Sequence, residues 1–171
     1  MDVMEAIRNR RSVRGFQTRP IEPDKLERVL EAGRLAPSAN NRQPWRFIVV
    51  TDETVRKQLA HAACDQAFIA KAPVVLVGCA IETDRIMACG QHCYPIDLAI
   101  AMTTLSLAAV AEGLGGCWIG AFHEEQVKKV LGIPEEVRVV ELMPLGYPDS
   151  ANIPARPRKS PQEFRVYEKW S

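Results

Sequence analysis

The stretch PIDLAIAMTTLSLAAVAEGLG, residues 95–115, constrains this chain more than any other. It reads as one long helix, apolar almost all the way round. Such a helix has no polar face to turn to water, so it belongs in a core or an oligomer interface. A bilayer is the remaining destination. Asp97 and Glu112 bracket the apolar part, leaving about 14 residues between them, against roughly 20 needed to cross. The expectation is a central helix in one compact domain. Asp97, ahead of the helix, reads as an N-terminal charge rather than a base. The 171 residues suit a single domain that buries roughly 70% of its unfolded surface without disulfide or metal.

The remaining elements follow from patterning. Asp2 with Glu5 three residues on predicts a capping box and a helix to about Asn9, with Val3, Ala6 and Ile7 on one face. A second helix starts near Pro23 and stops between Gly33 and Pro37. WRFIVVT (45–51) reads as a buried strand, ETVRKQLAHA (53–62) as an amphipathic helix and APVVLVGCAI (72–81) as a second strand. CWIGAF (117–122) reads as a third strand or its end. EEQVKKVLG (124–132) is a short helix closed by Gly132, and VRVVELMPLGYP (137–148) a fourth strand. The tail from Ala151 carries three prolines, reads as extended, and ends in Phe164, Val166, Tyr167 and Trp170. That is too apolar for a free end, so a partner subunit is expected beneath it.

Charge sharpens the picture. The net charge is +1, which argues against nucleic acid or a membrane surface as partner. The N-terminus MDVMEAIRNRR lacks the order of a secretory leader, and the five cysteines are odd in number, with Cys79 and Cys117 in apolar runs. Free thiols in a reducing cytoplasm are expected. Yet NRRSVRGF (9–16) packs three arginines into five positions. Exposed ion pairs contribute about 0–1 kcal/mol, whereas charge-assisted bonds to a phosphate contribute roughly 1.5–3 kcal/mol each. The cluster is therefore either a solvated helix end or an anion site. Three further segments offer binding chemistry. APSANNRQPW (36–45) is a proline-stiffened loop of hydroxyl and amide groups, suited to a turn or to a flat heterocycle. GLGGCWIGAF (113–122) lacks the dinucleotide fingerprint, and fits a helix cap or close backbone approach to a ligand near Gly120. ARPRK (155–159) alternates Arg156 and Arg158.

Together these segments resemble the nitroreductase family of flavoproteins. RRSVR (10–14) is similar to its phosphate motif and PSANNRQPW (37–45) to its flavin-ring loop. GGCWIGAF (115–122), LMPLGYP (142–148) and RPRKSPQEFRVYEKW (156–170) resemble its glycine segment, late strand and C-terminal arm. The resemblance implies an α+β fold, a mostly antiparallel sheet wrapped by helices. It implies an interlocked homodimer binding FMN at its interface, with residues 151–171 as an arm on the partner. Arg10 and Ser12 would face the phosphate and ribityl chain, and Arg14 the pyrimidine edge. Arg158 would hold the phosphate, with Arg156 a weaker candidate. Pro37, Ser38, Ala39, Asn41 and Gln43 would approach from the other subunit, and the backbone of Ile119 and Gly120 would lie against the ring. Arg11 is read as solvated, and Gln66 as a ring contact outside the assigned set. The implied activity is hydride transfer from NAD(P)H through FMN to a nitroaromatic, quinone or similar small-molecule acceptor, in a ping-pong cycle. No protein acid or base is obligatory. The chain is short for the family, and Ala39 stands where a hydroxyl residue is common.

Other readings stay open. Cys89, His92 and Cys93 in CGQHCY lack a fourth ligand and the usual zinc spacing. His61 and His123 read as surface or capping residues. The chain could carry flavin without turnover, reduce an activated ring or enone, or be a helical scaffold with solvated arginines.

Overall fold

The computed structural model describes residues 1–150, 154 and 156–170. In it the apolar stretch becomes α5, Cys93–Ala111, and the fold is built around this helix. The helix begins earlier than its apolar pattern because Cys93, Tyr94 and Pro95 supply the first turn. Backbone N–H groups there have no helical partner, so proline does no harm. Asp97 therefore lies inside the helix, and it is buried. This corrects its reading as a charge ahead of the helix. Only one stripe of α5 is buried: Cys93, Asp97, Leu98, Ala101, Met102, Leu105, Ser106 and Ala109. Ile96 and Ile100 remain exposed on the opposite side.

The sheet has four strands, β1 (Trp45–Val50), β2 (Val74–Ala80), β3 (Gly115–Gly116) and β4 (Arg138–Gly146), all antiparallel, in the order β1-β2-β4-β3. Every residue of β2 is buried, because successive side chains enter opposite cores. Val75, Val77 and Cys79 join Leu59, Ile69, Val127 and Leu142 under α3 (Glu53–Ala62), α4 (Phe68–Lys71) and α6 (Glu124–Leu131). Val74 and Leu76 join Val29, Met102, Leu105 and Met143 under α2 (Pro23–Arg34) and α5. Two predicted strands need correction. WRFIVV is an edge strand, and of its residues only Val50 is buried. CWIGAF is not a strand: the ladder stops at Gly116, and only Ile119 returns, bridging Leu142.

The capped helix α1 (Val3–Asn9) has the expected Asp2–Glu5 capping box. Its predicted apolar face is largely exposed, with only Ala6 buried. Gly132 stops α6 in the left-handed region. The tail is less extended than expected, because Ser160 and Glu163 cap a helical turn, α7 (Pro161–Phe164). Of the expected 151–171 arm, positions 151–153, 155 and 171 lie outside the described residues. All five cysteines are free, and Cys79 and Cys117 are buried as expected. Glu141 on β4 is buried opposite Gly78 of β2, and its Oε1 has no partner among the described residues.

Candidate functional site

The chain leaves α1 at Arg10 and runs extended past β3. Val13 is buried and its N–H donates to the Gly116 carbonyl at 3.0 Å, while Ser12 forms a parallel bridge with Gly116. The two glycines of β3 permit this approach. A Cβ on Gly115 would collide with Val13, and one on Gly116 would lie 2.9 Å from the Pro144 carbonyl oxygen. With Val13 anchored inward, its neighbours turn outward. Arg10, Arg11, Ser12 and Arg14 line one side of a cavity of about 610 Å³, and Pro154, Arg156 and Arg158 line the other.

Five guanidinium groups thus face one hollow whose lining holds no carboxylate. Among the described residues none of the five has an ion-pair partner, whereas Arg19, Arg28, Arg34, Arg42 and Arg138 each close on a carboxylate. Two larger hollows, of about 840 and 710 Å³, border α2 and mix acids with bases. Arg11 is not simply solvated. Its Nη1 donates to the carbonyls of Arg8 (2.5 Å) and Arg10 (2.9 Å), bracing the end of α1.

Cys117, the residue after β3, is buried and feels the charge of this cluster. Burial pushes its thiol pKa up, while Arg14, the Ser12 hydroxyl and Arg10 pull it back. Three residues on, Gly120 is open: a Cβ there would meet nothing within 4 Å. The segment is held from two sides. Ile119 exchanges backbone bonds with Leu142 at 2.9 and 3.1 Å. Gln66 donates from Nε2 to the carbonyls of Ala63 (2.8 Å) and Ala121 (3.1 Å). Gln66 follows two left-handed residues, Cys64 and Asp65, which turn the chain toward this segment. Close by in sequence, the Phe68 ring lies under the Arg14 guanidinium, 6.0 Å from its centroid.

The loop after α2 is a separate element. Ser38 Oγ accepts from Gln43 N–H at 2.9 Å, and Gln43 Nε2 donates to the Asn41 carbonyl at 3.1 Å. Asn40, Asn41 and Gln43 all take positive φ. Ala39 N–H donates to Asp97 Oδ1 at 2.9 Å, so the loop is tied to α5.

The sequence-predicted residues therefore fall into three groups. Arg10, Ser12, Arg14, Arg156 and Arg158 share the cavity. Ile119 and Gly120 are not among its lining residues, and follow Gly116, the bridge partner of Ser12, by three and four positions in the chain. Pro37, Ser38, Ala39, Asn41 and Gln43 stand together on the α5-anchored loop, with no hydrogen bond to the cavity among the described residues. Asp97 was missed as a loop support, because a lone acid beside an apolar run carries no sign of which way it turns. Of the CGQHCY motif, Cys93 is buried while Cys89 is exposed. Among the described residues no three of His, Cys, Asp or Glu gather in a metal-binding group.

Comparison with known proteins adds to this geometry. A family model described as Nitroreductase family matches residues 7–83 and 60–147. A putative NADH dehydrogenase/NAD(P)H nitroreductase of Archaeoglobus fulgidus is 33% identical, over 86% of each chain. A nitroreductase family protein from Clostridium novyi NT superposes with a TM-score of 0.84 at 35% identity, covering 88% of this chain and 87% of that one. The NADPH:FMN oxidoreductase of Vibrio harveyi, complexed with NAD+, gives a TM-score of 0.90 at 29% identity, covering 99% of this chain and 78% of the other.

Proposed function

The chain belongs to the nitroreductase family, and from that premise we propose that it is an FMN-dependent oxidoreductase passing hydride from NAD(P)H to a nitroaromatic, quinone or similar acceptor. The observation that carries this reading is the arginine cavity. Five unneutralised guanidinium groups repel one another, and a dianionic phosphate relieves that repulsion with short charge-assisted bonds. Bound FMN supplies the hydride chemistry, taken from a nicotinamide and given to the acceptor in alternating half-reactions.

The chain's own residues bind and orient. Arg10, Ser12 and Arg158 hold the phosphate and the start of the ribityl chain, with Arg156 at the rim. Arg14, steered by Phe68, reaches along the ribityl chain toward the pyrimidine edge, where its charge favours electron density arriving on the ring. Three extended residues span at most about 10 Å, so a ligand anchored beside Ser12 and Cys117 reaches the open backbone at Ile119 and Gly120.

The loop of Pro37, Ser38, Ala39, Asn41 and Gln43 serves the flavin of a second copy in a homodimer. Two features support the dimer. The exposed face of α5 carries Pro95, Ile96 and Ile100 around a hollow of about 500 Å³. On the tail, Phe164 is 81% exposed and Trp170 95%, apolar surface that a partner subunit would cover. The free thiols suit a reducing cytoplasm.

The test is the visible absorption spectrum of the purified protein, then release and identification of any chromophore, then NAD(P)H oxidation with and without a quinone. FMN release with acceptor-dependent turnover is expected. A colourless protein that takes up no added FMN would overturn the reading, and flavin held without turnover would reduce it to a carrier.

A further inference from the structure

The turn at Ala39–Asn41 is costly backbone. Asn40, Asn41 and Gln43 take φ of 54°, 53° and 53°, a region that residues other than glycine visit rarely, asparagine more readily than glutamine. Three such residues within four positions persist only where the surroundings over-determine them. One strut is local, from Gln43 N–H to Ser38 Oγ. The Arg42 side chain reaches Glu82 on the exposed side. Among the described residues, two hydrogen bonds tie the loop's backbone to the rest of the fold: beyond the left-handed residues the Pro44 carbonyl accepts from Ile81 N–H at 2.9 Å, and at their start Ala39 N–H donates to Asp97 Oδ1 of α5 at 2.9 Å.

Asp97 is an unusual group to find there. It is 4% exposed, it is the one charged residue of its helix, it has no cation partner among the described residues, and its Oδ2 accepts from none of them. A buried carboxylate without a counter-charge is hard to keep, and an alanine or leucine would bury more easily. A helix-packing role does not account for it. What it does hold is the first N–H of the left-handed turn.

We propose that Asp97 is a positioning residue for the flavin loop: through Ala39 N–H it fixes the turn that presents Ser38, Asn41 and Gln43 to the cofactor. The inference rests on the FMN reading above. It assigns Asp97 no contact with flavin and no proton to transfer. The carboxylate sets where the loop's hydroxyl and amide groups stand, and its unused oxygen marks it as more than a saturated cap.

The experiment uses the full chain and titrates FMN by quenching of its fluorescence, with the visible circular dichroism of the bound flavin as a second readout. Asp97→Ala is expected to weaken FMN binding by about tenfold or more, and to change the dichroic bands. Asp97→Asn, whose Oδ1 still accepts, stays within about threefold of the parent. Ala39→Pro removes the donor from the other side. Ser38 at φ −141, ψ 163 tolerates a following proline, and the first position of a 3-10 turn accepts one. It should reproduce the Asp97→Ala loss, and the double variant should be no weaker than either single one, because both break the same bond.

If Asp97→Ala does not fold, Asp97→Asn and Ala39→Pro carry the test. Asp97→Ala or Ala39→Pro binding FMN within about threefold with unchanged dichroism overturns the proposal, and so do losses that multiply in the double variant. Asp97→Asn as weak as the alanine variant also overturns it. A parent chain that binds no FMN would overturn the cofactor reading itself. A parent that binds with variants that match it overturns the role of Asp97 alone.

Discussion

Replacing Glu141 by glutamine is predicted to make the protein more stable at alkaline pH and to flatten its stability profile. Glu141 is 4% exposed, beside Gly78 and under Leu98 of α5, and burial alone lifts its carboxyl from 4.5 to about 7. The folded state therefore holds this proton where the unfolded chain releases it. Stability falls as pH rises from about 4.5, and the full penalty stands above about 7. At about 1.4 kcal/mol per pH unit the penalty is roughly 3–4 kcal/mol, of which roughly 2–3 kcal/mol develops between pH 5 and pH 8. Glutamine keeps the shape and cannot ionise. Urea unfolding of both proteins at several pH values is the assay. The difference between them cancels every other titrating group, the FMN phosphate included. It should grow in favour of the variant by roughly 2–3 kcal/mol across that range, equivalent to several degrees in Tm for a domain of this size. Parallel profiles would refute the argument, and would mean that Glu141 ionises without cost or finds a partner in solution.

Arg10→Ala with Arg158→Ala should weaken FMN binding roughly 10²–10⁴-fold, as two charge-assisted bonds of about 1.5–3 kcal/mol are lost, with far-UV dichroism unchanged; unaltered affinity in a titration removes both phosphate roles. Gly116→Ala should cost roughly 1–3 kcal/mol in urea unfolding, because the new Cβ lies 2.9 Å from the Pro144 oxygen. Gly120→Ala should leave Tm unchanged, since its Cβ meets nothing within 4 Å, but slow flavin reduction by NAD(P)H in stopped flow; equal rates would remove Gly120 from the ring site. Truncation of 155–171 should shift sedimentation from dimer to monomer, and a dimer that survives would disprove the interlocking arm.

The elements legible in the sequence are those whose signal is local. The capping box of α1, the proline that opens α2, the boundaries of α3 and the left-handed stop of α6 stand where patterning put them. Each is set by bonds within a few residues. The strand β2 was legible for a different reason: seven apolar residues in a row have only the middle of a sheet to go to. The misses are non-local. WRFIVV has the composition of a buried strand, but whether a strand lies at an edge depends on what pairs beside it. CWIGAF keeps one bridge, Ile119 to Leu142, in the register of β3 and β4, and how far a strand stays paired depends on a partner segment distant in the chain.

The site divides along the same line. Arginines that share a cavity could be seen as a charge cluster in RRSVR and RPRK, since an excess of one sign over a few positions needs an explanation wherever it folds. Asp97 could not, because nothing in PIDLAIAM says that its carboxylate will face Ala39 and not water. The helix begins four residues before Asp97, and that register alone turns the side chain inward. The two buried acids illustrate one rule. Glu141 Oε1 has no donor among the described residues, so burial pushes the carboxyl toward its neutral form and its cost appears as a pH-dependent loss of stability. Among the described residues Asp97 has one donor, the Ala39 N–H at the start of the left-handed turn. Its cost is returned as loop geometry, so the chemistry proposed for the loop and the burial of a lone carboxylate beneath it have one physical cause.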